Sequence, residues 1–205
     1  NNNESQIIVD NTNINQETGS NSTLNTLLFG GSFTRNNLSF SQNGERCESN
    51  MNGVVILDNV EFADNHTYMD HLKANCESNE LYKGIYLGQS KGVFNGKIMV
   101  RPDAQKINAF QANNNLLLSD DSSINSKPQL EIYADDVKCS HGCTIGQLDE
   151  DAIFYMNTRG ISKEDAKAIL TYAFASDALN KISIPHLYDV AKDLISKKLN
   201  VDLSF

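Results

Sequence analysis

Over its first two-thirds the chain carries short apolar runs of β type, with no helical stripe among them. They are "IIV" at 7–9, "TLLFGGSF" at 26–33, "GVVILDNVEF" at 53–62, "GIYLGQSKGVFNGKIMV" at 84–100, "INAFQANNNLLLS" at 107–119 and "PQLEIYADDVKCS" at 128–140. Gly, Asn, Asp and Ser separate them, residues that accept turns and positive φ. Only three prolines occur in the chain, so long ladders are not interrupted. The pattern predicts a mainly β region over residues 1–147, for which a sandwich, a barrel and a parallel β-helix compete. Asn-Gly pairs stand at 43–44, 52–53 and 95–96, and only Asn95-Gly96 lies between two clear apolar runs, so tight hairpins are scarce. Asn-rich stretches such as "QANNNLLLS" suit a β-helix, where Asn stacks at the bends of successive coils. The pattern leans toward that architecture.

From about residue 149 the apolar period changes to that of a helix. Asp149 leads a short helix near 150–157, which Gly160 stops. Ser162 followed by Asp165 reads as a capping box, and Ala166, Ile169, Leu170, Ala173 and Phe174 then form an apolar stripe. Ser183 can cap a third helix with Pro185 in its first turn, and Leu187, Val190, Ala191, Leu194 and Ile195 repeat the spacing. Residues 148–205 are therefore expected to form a small helical subdomain.

Composition narrows the function classes. The 205 residues are 40% hydrophobic and 21% charged, as in an ordinary folded domain. A formal net charge of −9 argues against nucleic acid and anionic membrane surfaces as partners. No apolar run approaches the roughly 20 residues of a membrane span. The start "NNNESQIIVD" has no Met, basic region or apolar core of a signal peptide, and it falls within a strand-like pattern, as in a fragment of a longer chain. Four cysteines are too few for a disulfide scaffold, which points to a reducing, cytoplasmic setting.

The densest chemistry is "DDVKCSHGCTIG" at 135–146. On a strand, Cys139, His141 and Cys143 share one face with Val137. Thiolates and an imidazole suit zinc, copper(I) or iron–sulfur chemistry. Three ligands on one strand rarely enclose an ion, so other ligands would come from elsewhere, another chain included. The plainer alternative is that the cysteines pack as small hydrophobes and His141 is simply hydrogen-bonded. His66 and His71, with Asp64 and Asp70, form a weaker cation candidate, against a solvated loop. Asp135 and Asp136 could be an acid/base pair, although neighbours on a strand face opposite ways. No nucleotide-binding or nucleophile-elbow motif is present.

Four segments in order carry a resemblance: "GVFNGKIMV" (92–100), "AQKINAFQANNNLLLS" (104–119), "KPQLEIYADDVKCSHG" (127–142) and "GQLDEDAIFYMNTRGI" (146–161), continued by "EDAKAILTYAF" at 164–174. Together they resemble the C-terminal half of the SufD-type members of the SufB/SufD family of iron–sulfur cluster assembly proteins. The likeness covers roughly residues 60–200 and is thin before them. It implies a right-handed parallel β-helix followed by a small helical domain. It implies a non-catalytic scaffold that pairs with a SufB-like protein through the β-helix and with a SufC-like ATPase through the C-terminal helices. It places Cys139 and His141 at the SufB-facing interface, with His141 as ligand of a transient iron–sulfur cluster shared with a SufB thiol, and no cofactor held tightly by the isolated chain. A homodimer through the same face is expected when the partner is absent. Two positions depart from the family pattern: Ala is common where Cys143 stands, so Cys143 inherits no role, and Thr is common where Ile107 stands. Cys47 and Cys76 lie outside the four segments and read as packing. The competing function is a β-helix carbohydrate-active enzyme, a polysaccharide lyase or hydrolase; few arginines and the absence of Trp weigh against it. The ligand count disfavours a self-contained zinc module.

Overall fold

Thr34, Asn36, Leu38, Phe40 and Gln42 are buried while the residues between them are only partly covered. That period of two is a strand with one face on a core, and it recurs through the β region. The computed structural model describes residues 6–199. It contains β1 (Ile7–Gln16), β2 (Asn21–Leu28), β3 (Phe33–Gln42), β4 (Glu48–Leu57), β5 (Phe62–His71), β6 (Glu77–Tyr86), β7 (Lys91–Val100), β8 (Ile107–Leu117), β9 (Ser123–Ile132) and β10 (Val137–Gly146). Odd-numbered strands form one sheet in the order β1-β3-β5-β7-β9, and even-numbered strands form the other, β10-β8-β6-β4-β2. The pairings are parallel. The chain is thus a parallel β-helix of five turns, each made of one strand from either sheet.

Inward positions stack from turn to turn. Phe40 pairs with Met69 and Met69 with Ile98, and these join Leu38, Met51, Phe94 and Ile107 in the central core. The core has a polar part as well. Asn36 donates to Asn65 at 3.3 Å, and Asn115 donates to Asn113 at 2.8 Å. Asn36 and Asn65 do stack in successive turns, but inside strands rather than at a bend, and "NNN" at 113–115 lies within β8, where Asn115 and Asn113 pair along one strand. Asn95-Gly96 likewise lies inside β7, where a Cβ on Gly96 would come within 2.7 Å of the Phe94 ring.

The bends repeat as the strands do. Arg46, Asn75 and Lys106 precede β4, β6 and β8 at one corner, and all three are left-handed, with φ of 55°, 60° and 59°. Asn59 and Gly88 repeat the device at the opposite corner, with φ of 53° and 58°.

After β10 come α1 (Glu150–Thr158), α2 (Lys163–Leu179) and α3 (Pro185–Leu199). Two of the expected caps are present: Asp149 Oδ1 accepts from the Asp151 N–H at 2.9 Å, and Ser162 Oγ from the Asp165 N–H at 3.0 Å, whereas α3 starts at Pro185 directly after Ile184, so Ser183 stands one residue too early to cap it. Gly160, with φ 86°, follows α1. Helices α2 and α3 fold back over the outer face of the even-numbered sheet, where Ala175, Ala178, Leu179, Ala191 and Ile195 cover Val54, Ile56 and Ile85. Two ion pairs fasten them: Lys83 to Asp177 at 2.9 Å and Lys198 to Glu61 at 2.6 Å.

The expected stripes are shifted. In α2 the fully buried side is Ala166, Ala168, Thr171, Ala175, Ala178 and Leu179, while Ile169, Leu170 and Phe174 are half-buried and Ala173 is exposed. Small residues let the helix lie close to a flat sheet, so the larger ones are pushed to the flanks. In α3 the fully buried residues are Ala191 and Ile195, and Val190 and Leu194 remain 39% exposed.

Candidate functional site

The stretch 137–146 is extended, as its alternation requires, and forms β10. Register fixes which way its side chains face. Cys139 pairs with Ala109, His141 with Gln111 and Cys143 with Asn113, all three of them buried inward residues of β8. Cys139, His141 and Cys143 therefore continue the inward rows of the even-numbered sheet. They do so on its last strand, which pairs with β8 on one side and with nothing on the other among the described residues. The row that elsewhere fills the core is here uncovered.

The three residues differ in exposure. Cys139 is half-buried and packs against the central core, and this burial raises its thiol above the ordinary range, against a backbone contact from Ala109. His141 and Cys143 are exposed. Among the described residues no three His, Cys, Asp or Glu side chains are placed to hold one metal ion. Around the row the open end of the β-helix also exposes apolar side chains: Ile132, Tyr133 and Ile145.

The other candidates do not assemble. The stretch read as a solvated loop is β5, and its alternation separates the two histidines. His66 faces outward with Asp64 and Asp70, whereas His71 faces the core. His66 Nε2 lies 2.9 Å from Asp64 Oδ1, and Arg35 Nη1 lies 2.7 Å from Asp64 Oδ2, so that carboxylate is occupied. Asp70 is held by Arg101, Nε to Oδ1 at 2.9 Å and Nη2 to Oδ2 at 2.9 Å. Asp135 and Asp136 sit in the bend before β10, both exposed, and the Asp136 carbonyl accepts from Lys106 N. Cys47 and Cys76 are buried at one corner of adjacent turns, where both sulfurs donate to the Gly44 carbonyl, at 3.2 and 3.4 Å.

Two residues beside the row were invisible to motif reasoning. Glu80 and Gln111 occupy the same inward row as His141, in the two preceding turns. Gln111 Nε2 donates to Glu80 Oε2 at 2.7 Å. Burial pushes the Glu80 carboxyl up to about 7, against the favourable influence of Thr67 and Gln111. Only the turn-to-turn register reveals this stack.

Comparison with known proteins accords with the fold and the motifs. Residues 1–174 match the family described as "SUF system FeS cluster assembly, SufBD core domain". The chain is 42% identical over 152 residues to the iron–sulfur cluster assembly protein SufD of Escherichia coli, covering 74% of this chain and 36% of that protein. It is 37% identical over 167 residues to an iron–sulfur cluster assembly SufBD family protein of Synechocystis, covering 82% of this chain and 37% of that one. It is 35% identical over 183 residues to a chloroplastic protein of Arabidopsis thaliana, ABCI7, covering 88% and 38%. The chain thus spans little more than a third of the length of these relatives. It belongs to the SufB/SufD family of iron–sulfur cluster assembly proteins and is SufD-like within it.

Proposed function

We propose that this chain is the scaffold part of a SufD-type subunit, itself without catalytic activity, which contributes half of a site where iron and sulfide become a cluster. The observation that carries the reading is the row Cys139–His141 on the edge strand β10, whose second side has no partner strand among the described residues. An edge strand invites another strand, and a SufB-like partner docked there would cover the row and supply the missing thiolate. Without that partner, a second copy of this chain takes the same edge. A SufC-like ATPase docks on the C-terminal helices, where α1 offers Phe154 and Tyr155, 70% and 59% exposed. The cluster is cargo, bound through the neutral ring of His141 because a protonated imidazole has no lone pair to give. Cys139, whose thiol burial shifts toward the protonated form, becomes a ligand when metal binding displaces its proton to solvent, or a sulfur relay when it accepts the outer sulfur of a partner's persulfide and releases that partner's thiol.

The test is the iron and sulfide recovered with the reconstituted complex for Cys139→Ala, His141→Ala and Cys143→Ala. His141→Ala is expected to keep the fold and the SufB pairing and to lose cluster. Cys143→Ala is expected to behave as the parent. Full cluster content in His141→Ala together with loss in Cys143→Ala would overturn the assignment. In the same preparations, light scattering of the chain alone should give the mass of a dimer.

A further inference from the structure

The inward row that ends at His141 runs back through Gln111, Glu80 and Met51. Its two middle members are polar, and both are almost wholly buried, Glu80 at 4% and Gln111 at 2% exposure. A buried carboxyl beside a buried amide costs desolvation that an aliphatic pair would avoid, so the pair needs a reason to be there. Their mutual bond uses the Gln111 N–H group and one Glu80 oxygen. Gln111 Oε1 is left without a partner among the described residues. Such an orphaned buried acceptor is uncommon in a folded protein.

Gln111 has few neighbours that could serve it. On one side along the row is Glu80, whose Oε2 accepts the Gln111 N–H and whose Oε1 is likewise without a partner among the described residues. Across the interior is Gly96, whose missing side chain makes the room that the amide occupies: a Cβ there would lie 2.4 Å from Gln111 Nε2. On the other side is His141, the next residue of the row. His141 is exposed on an edge strand, so its ring changes rotamer readily. An imidazole carries the donor that the orphaned oxygen lacks.

We propose that Gln111, held in orientation by Glu80, accepts a hydrogen bond from one ring N–H of His141 and so leaves the other ring nitrogen, unprotonated, facing the open edge. Gln111 and Glu80 are then positioning residues, acting on a ligand through its far nitrogen, the arrangement by which proteins set the tautomer and aim of a ligating imidazole. The inference deepens the reading of His141 as a ligand and rests on it.

The experiment is nitrogen-resolved NMR of the His141 ring in the full chain, metal-free, beside titration of the same chain with Co²⁺ alone. In the parent protein a single tautomer should dominate. Gln111→Met, similar in volume but unable to accept, should return the ring to the mixture of a free imidazole and weaken Co²⁺ binding about 10- to 100-fold. Glu80→Gln keeps an acceptor for the Gln111 N–H group and should leave both readings within about twofold, which separates the hydrogen bond from the ionisable group. Should Gln111→Met fold poorly, Gln111→Asn, too short to reach both neighbours, gives the same contrast. A tautomer mixture already present in the parent, or one unchanged by both Gln111 variants, overturns the positioning whatever the cluster content. Unchanged Co²⁺ binding and cluster content in His141→Ala would instead overturn the ligand reading, whatever the tautomer.

Discussion

Glu80 and His71 are both sealed inside the β-helix, and burial acts on them in opposite senses. His71 falls from 6.5 to about 4, because its charged form loses solvent, with the neighbouring Asp70 carboxylate working the other way. Glu80 rises from 4.5 to about 7 for the same reason. The unfolded chain takes up a proton at His71 that the folded chain refuses, so stability falls as pH drops from 6.5 toward 4. The unfolded chain releases a proton at Glu80 that the folded chain keeps, so stability falls as pH rises from 4.5 toward 7. Between 4.5 and 6.5 the two slopes oppose each other. Each amounts to as much as about 3 kcal/mol over its full range. The parent should therefore show a nearly flat denaturation midpoint over that window, and Glu80→Gln should uncover a rise with pH. A Glu80→Gln midpoint as flat as the parent's would mean that His71 does not stay neutral in the fold.

At the scale of elements, the corners are the part of the fold most open to improvement. Lys106 is exposed and left-handed, with φ 59°, in the same corner row as Arg46 and Asn75. A non-glycine residue there costs roughly 1–2 kcal/mol, offset in part by the greater freedom glycine loses on folding. Lys106→Gly should raise stability by about 0.5–1 kcal/mol, read as a higher midpoint in urea; a lower midpoint would show that the lysine side chain contributes more than its backbone costs. The corners also show why the sequence was only partly legible. The apolar runs at 53–62 and 84–100 straddle bends, because the ends of β4 and β6 are covered on both faces, by the core within and by α2 without. Their alternation is lost there, and the run reads straight through the corner into the next strand. Strands β3 and β5 carry Asn, Ser, Thr and Asp inside or outside the coil, so they look like loops by composition. The turn length varies, since Ile7 pairs with Phe33, Thr34 with Ala63 and Lys91 with Ser123, which hides the repeat. The Cys139–His141–Cys143 row was legible from a spacing of two alone. The Glu80–Gln111 stack behind it was not, because no local spacing links residues a full turn apart.

For the whole molecule, the helices are a lid on one sheet. Removing about residues 149–205 would bare Val54, Ile56, Ile85, Leu27 and Leu81 together, a patch that a soluble domain rarely leaves open. The truncated chain should form large aggregates by light scattering where the parent does not, and a truncated chain of uniform small size would show that the helices are dispensable to the sheet. Loss of ATPase binding on truncation is therefore ambiguous, and Phe154→Ala with Tyr155→Ala is the cleaner probe of that surface. The back-folding of α2 has a further consequence, for the order of events during synthesis. Each turn of the β-helix stacks on the turn before it, so the coils can assemble as they leave the ribosome, N-terminal turns first. The outer face of β4 and β6 stays wet throughout, because the helix that covers it is encoded beyond β10. The nascent chain thus carries an unprotected apolar strip until α2 and α3 emerge, and that interval is when a chaperone would have most to do.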